Sequence, residues 1–97
     1  MQKYPLLLIV LSTTLNATPI PTQDRFSVIQ EIKDGCLKSQ INAPENGDVP
    51  LAVIHQYCDC TSENAANSLT AEDVDAMNSG NPSPGAQKIA QAYAYCR

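Results

Sequence analysis

The stretch HQYCDC, residues 55–60, decides how the rest of the chain is read, because it sets two cysteines one residue apart near the only histidine. Around it, Leu51, Ile54, Cys58, Thr61 and Ala65 recur at intervals of three and four, the spacing of one helix face. Successive side chains on a helix are about 100° apart, so Cys58 and Cys60 point roughly 200° away from each other. A disulfide needs Cα atoms within ~7 Å and Cβ atoms that face one another. A Cys58–Cys60 bridge is therefore excluded, and each cysteine is aimed at a different neighbour.

Cys36 and Cys96 are the remaining cysteines. Either way of pairing them with Cys58 and Cys60 ties the second helix to the first and to the last. In an antiparallel hairpin Cys58, the nearer to the connector, is better level with Cys36. That count favours Cys36–Cys58 with Cys60–Cys96 over the crossed pairing, which stays open.

The same residues suggest other chemistry, and it is weaker. His55 and Cys58 stand at i and i+3 and share a face, so with Cys60 they make a candidate copper or zinc site. Structural zinc takes four ligands at recognisable spacings, which Cys-x-Cys with one histidine does not supply. Copper(I) accepts fewer thiolates, and it is kept as part of the alternative reading. Thiol oxidoreductases place Cys-x-x-Cys at a helix start, where the dipole lowers a thiol pKa, whereas this pair is mid-helix at another spacing. The bland expectation for His55 is a half-exposed packing residue. No cofactor is expected.

The first residues, MQKYPLLLIVLSTTLNA, have a basic start at Lys3, an apolar run from Leu6 to Leu11, and then polar residues ending in the small Ala17. The run is far shorter than the ~20 residues that cross a bilayer as a helix. Residues 1–17 are expected to be a secretory signal peptide cut after Ala17, and the protein to be periplasmic or extracellular. The remainder keeps five of the six basic residues and all ten acidic ones, for a net charge near −5. Without a basic cluster, nucleic acid and anionic membrane surfaces are not expected partners. A remainder of this size buries only a modest core, which small exported domains commonly supplement with disulfides.

Residues 18–26, with the proline-rich TPIPT, are expected to form an extended lead-in, and residues 27–97 a single helical domain. Ser27 and Gln30 have the form of a capping box, so the first helix is expected over about 27–40, with Phe26, Ile29, Ile32, Cys36 and Leu37 at helical spacing. Gly35 within it costs about 1 kcal/mol relative to alanine, which suggests close packing there. NAPENGDVP is the connector, and Pro50 suits the first position of a second helix ending near Ala66. Thr70 and Asp73 form a capping box, with Leu69 and Val74 at the staple positions, and open a short third helix that Gly80 closes in a left-handed conformation. Ser83 caps the last helix, with Ala86, Ile89, Tyr93 and Cys96 facing inward. Nothing alternates with period two. The fold class expected is all-α: a small disulfide-stapled bundle of about four short helices.

No catalytic constellation is present: there is no Gly-x-Ser-x-Gly and no phosphate-binding glycine loop. Glu72, Asp73 and Asp75 read as a solvated helix start, because acidic residues suit the dipole there. Tyr57 and Tyr93 read as the larger packing residues of a core with one Phe and no Trp.

The order Cys36, QYCDC, SLTAED, Cys96 resembles a loosely defined group of small exported helical proteins of proteobacteria with four cysteines. The resemblance implies the helical disulfide fold and carries no activity. Cys-x-Cys inside a helical bundle is also similar to plant lipid-transfer proteins, but those have more cysteines than the four here, and their function does not carry over. The function expected is that of a non-catalytic binder of another protein, of inhibitor, immunity or accessory type, with a basic partner suited to its charge. The alternatives are a carrier of a small apolar ligand and a metal binder through Cys58, Cys60 and His55.

Overall fold

The computed structural model describes residues 18–97, and the signal peptide expected over 1–17 lies outside them. Four helices follow in order: α1 (Thr22–Ile41), α2 (Leu51–Ser68), α3 (Ala71–Asn78) and α4 (Ser83–Tyr95), with a single 3-10 turn at Pro44–Asn46. The described chain has no β-strand; its one β-pairing is an isolated antiparallel bridge between Pro19 and Thr70. The fold is the all-α, disulfide-stapled bundle.

α1 begins five residues before the expected Ser27, and the extended lead-in stops at Pro21. Pro21 has extended backbone angles (φ −56°, ψ 143°), and its carbonyl accepts from the Asp24 and Arg25 N–H groups at 2.9 and 3.1 Å. Nothing after Pro21 opposes a helix, and Asp24 in the first turn favours one. Ser27 therefore lies in the helix interior. Phe26, expected on the inner face, is 70% exposed, because only the later part of α1 meets the core.

α1 and α2 form an antiparallel hairpin whose register is visible at three levels. The Arg25 guanidinium donates to Asn67 Oδ1 at 2.6 Å, Lys33 pairs with Asp59 at 2.6 Å, and Cys36 is bonded to Cys58. Asp59, the residue between the two cysteines, thus reaches back to α1 while its neighbours enter the cross-links. The Cys36–Cys58 bridge is also the centre of the core: Cys36, Ile54 and Cys58 are buried together, with Leu37, Val49, Tyr57 and Tyr93 packed against them.

α2 starts at Leu51 rather than Pro50, which occupies the cap position and accepts the first turn's bonds on its carbonyl. Its buried face is Ile54, Cys58, Thr61, Ser62, Ala65 and Ala66. Leu51, expected on that face, is 56% exposed.

Leu69 and Thr70 are extended and join α2 to α3. Both capping-box bonds at Thr70 and Asp73 are made, at 3.1 and 2.9 Å. At the other end Gly80 has φ 95°; its N–H bonds to the Met77 carbonyl and that of Asn81 to the Ala76 carbonyl, the paired bonds of a Schellman stop. α4 includes Ser83 as its first residue, with Pro82 at the cap, so Ser83 makes no side-chain cap. Its buried residues are Gly85 and Ala92, while Ile89, Tyr93 and Cys96 are half-buried and Ala86 is exposed, contrary to its expected inward position. Gly85 sets the approach to α3: a Cβ there would lie 2.6 Å from Met77 Sδ.

Candidate functional site

The cysteine geometry comes first, because it settles which groups are available for chemistry. The structure pairs Cys36 with Cys58 and Cys60 with Cys96, at Cα separations of 5.6 and 5.9 Å. No free cysteine is left among the described residues. Asn64, one helical turn after Cys60, donates to the Cys60 carbonyl at 2.9 Å and lies 3.5 and 3.6 Å from the Cys60 and Cys96 sulfurs. The amide thereby covers the bridge that pins the end of α4 to the middle of α2.

His55 is half-buried on α2. With both sulfurs of the Cys-x-Cys pair in disulfides, Cys58 and Cys60 have no thiolate to give a metal ion. Among the described residues no group of three or more His, Cys, Asp and Glu side chains is placed to hold one.

The three acidic residues of α3 are placed differently from one another. Asp73 is buried rather than solvated, because Lys88 from α4 reaches its Oδ2, which also accepts from the Thr70 N–H. The Lys88 hydrogen bond, followed by those from Thr70, holds its carboxyl below the ordinary value despite its burial. Glu72 is exposed and accepts from the Thr18 N–H at 3.1 Å, which lowers its pKa. Asp75 is exposed. Their arrangement serves the α3 start and the α3–α4 contact.

Two clefts among the described residues are places where a partner could be received. The larger, about 720 Å³, lies at the connector end of the hairpin beside the C-terminus. It is lined by apolar Val49, Val53, Ile54 and Tyr57 and by polar Gln40, Glu45, Gln56 and Arg97. The connector wall is fixed: Asn46 Nδ2 donates to the Gln40 carbonyl at 2.9 Å and to its Oε1 at 3.0 Å. Val53 in this cleft is 49% exposed, and the same end of the hairpin exposes Ile41 and Leu51 at 50% and 56%.

The smaller cleft, about 350 Å³, lies between α1 and the α3–α4 pair. Val28, Ile32, Val74, Met77, Ile89 and Tyr93 form its apolar lining, with Glu31 and Asn78 as polar members. Gly35 borders it too, but a Cβ there would meet nothing within 4 Å, so the close packing expected at this glycine is absent. Tyr57 and Tyr93 stand between the two clefts with ring centroids 5.8 Å apart, tilted by 48°, and the Tyr57 hydroxyl donates weakly to the Tyr93 carbonyl at 3.4 Å. Burial, with Tyr57 second, pushes the Tyr93 phenol pKa up. Both tyrosines pack on the cysteine core, as their size suggests.

Sequence reasoning missed Lys88, Asn64 and the Gly85–Met77 contact. Each joins one helix to another with no local motif to mark it. No helix among the described residues is long and apolar enough to cross a membrane. Two disulfides are the mark of an oxidising compartment outside the cytoplasm. Comparison with known protein families, with curated proteins and with solved structures finds no match to this chain.

Proposed function

We propose that this chain is an exported, non-catalytic module that binds another protein through the connector end of its α1–α2 hairpin. The observation that carries the reading is the larger cleft with its mixed lining, set beside exposed Ile41, Leu51 and Val53. A recess with an apolar floor and polar edges is where an aromatic or arginine side chain of a partner makes its largest contribution to binding. The net charge near −5 without residues 1–17 suits a basic partner, since complementary charge speeds encounter. Inhibitors, immunity factors and accessory subunits work in this way.

The test is affinity capture from periplasmic extract at low salt, with the native chain and with Val53→Glu as parallel baits. A protein held by the native chain, released by salt and lost with Val53→Glu supports the proposal. Empty native bait, or capture indifferent to Val53→Glu, overturns it. The smaller cleft favours a second reading, a carrier of a small apolar molecule, for which pockets of a few hundred Å³ with apolar walls are suited. An apolar compound released only on denaturing the purified protein would support that reading.

A further inference from the structure

We propose that Glu72 and the α2–α3 junction form a seat for the chain's own processed N-terminus, created by hydrolysis of the Ala17–Thr18 peptide bond. Water adds across that amide; Ala17 leaves as the carboxylate, and Thr18 keeps the nitrogen as an α-ammonium. The proposal rests on the export reading and is independent of what the protein binds.

Three contacts and one buried side chain define the seat. The Thr18 nitrogen lies 3.1 Å from Glu72 Oε1, the Thr18 carbonyl accepts from the Ala71 N–H at 2.7 Å, Pro19 forms the antiparallel bridge with Thr70, and Ile20 is buried. Ala71 opens α3, and its N–H is one of those a helix start leaves without an intrahelical partner. Pro19 and Pro21 keep the segment extended. The docked stretch therefore includes Thr18, the residue that the expected cut would expose, and its nitrogen already faces a carboxylate. Hydrolysis converts that nitrogen from one N–H donor into a cation with three, which strengthens the contact.

The charges around the seat favour this. A cation near a helix N-terminus is disfavoured by the dipole, so it needs a carboxylate of its own. Asp73 is committed to Lys88 and to the Thr70 N–H, and Asp75 lies farther along α3, which leaves Glu72 for Thr18. Glu72 bears a lowered pKa with the Thr18 backbone donor as the largest cause, so it is ionised at neutral pH.

The test starts from the full chain expressed in a bacterium that exports it. Intact mass and N-terminal sequencing read the first residue of the exported product. The pH dependence of labelling by an amine-reactive reagent then gives the α-amine pKa in the native protein and in Glu72→Gln. Glu72 is exposed and outside the core, and mass before and after reduction confirms both disulfides in each sample. The result expected is a product beginning at Thr18, with its α-amine labelled about two- to fivefold more slowly at neutral pH than that of Glu72→Gln, the size set by an exposed ion pair. The difference vanishes as pH rises through the raised amine pKa and both amines become neutral. An exported product with any other first residue overturns the seat while leaving the export premise standing, and a chain that is neither cut nor exported overturns both. A product beginning at Thr18 whose labelling is unchanged by Glu72→Gln overturns the seat alone.

Discussion

The two disulfides are not equivalent, and removing them one at a time exposes the difference. In the chain-entropy account, bridges with sequence separations of 22 and 36 contribute about 3.4 and 3.8 kcal/mol respectively. Loop length alone thus ranks Cys60–Cys96 as the more stabilising. Burial reverses the order. Cys36 and Cys58 are 1% and 0% exposed, at the centre of the core, whereas Cys60 and Cys96 are half-buried. Replacing a fully buried sulfur by hydrogen forfeits roughly 1 to 1.5 kcal/mol of transfer and cavity energy, and a half-buried one about half as much. The double substitution Cys36→Ala with Cys58→Ala is therefore expected to cost about 6 kcal/mol, and Cys60→Ala with Cys96→Ala about 5 kcal/mol. A chain of this size has about 4 to 12 kcal/mol of net stability, so the first variant approaches unfolding. Urea denaturation followed by far-UV circular dichroism checks this: at roughly 1 kcal/mol per molar urea, the midpoints should differ by about 1 M. If the Cys60–Cys96 variant proves equally or less stable, loop length dominates and the placement of the energetic core at Cys36–Cys58 is wrong.

Three further substitutions test particular positions. Gly35→Ala adds a methyl where nothing lies within 4 Å, on a helix whose backbone needs no left-handed residue, and should raise stability by about 1 kcal/mol, or about 4 to 8 °C in Tm; a thermal melt that shows no gain would mean the position is packed. Thr61 Oγ1 is buried without a hydrogen-bond partner among the described residues, so Thr61→Val should gain about 1 kcal/mol in urea titration, and a loss would show that the hydroxyl is satisfied. Asp73 has a depressed pKa in the folded state, so its contribution is fully present above the ordinary carboxylate value of about 4 and is lost as pH falls through the folded value. Asp73→Asn should flatten the decline in stability below about pH 4, and an unchanged slope would assign acid sensitivity to other carboxylates.

The legible parts of this fold are those written within a few residues. Thr70 and Asp73 are three apart, and their two reciprocal bonds form within one turn, so the start of α3 reads directly from TAED. Gly80 is legible because only glycine adopts its φ of 95° without strain. The two cysteines of Cys-x-Cys are legible because a helix sends them to opposite sides. The start of α1 was misread because Ser27 and Gln30 imitate a capping box, while the actual start depends on a proline carbonyl that carries no side-chain mark. Phe26, Leu51 and Ala86 were misplaced for another reason. Periodicity tells which residues share a face but not where along the helix the neighbouring helix stops. The Asp73–Lys88 pair and the docking of Thr18 on Glu72 join separate segments, and nothing near either residue announces the other. The site suffers most from this, since both clefts are gaps between helices rather than motifs.

The thin core and the exposed apolar end of the hairpin follow from one physical fact. Fully burying a Leu, Ile or Phe side chain contributes about 1.5 to 3 kcal/mol, so two disulfides worth about 7 kcal/mol together replace roughly three such residues. The chain has correspondingly left out Phe26, Ile41, Leu51 and Val53, all between 49% and 70% exposed. A protein held only by its hydrophobic core has to turn such side chains inward to fold. Here the covalent links hold α2 against α1 and α4, and side chains at the connector end are not needed for stability. Their exposure is then a cost in solubility with no folding return, which a partner that covers them would offset. That reasoning makes Val53 and its neighbours the residues to alter first when the binding proposal is tested, because changing them should abolish capture while leaving the urea midpoint where it was.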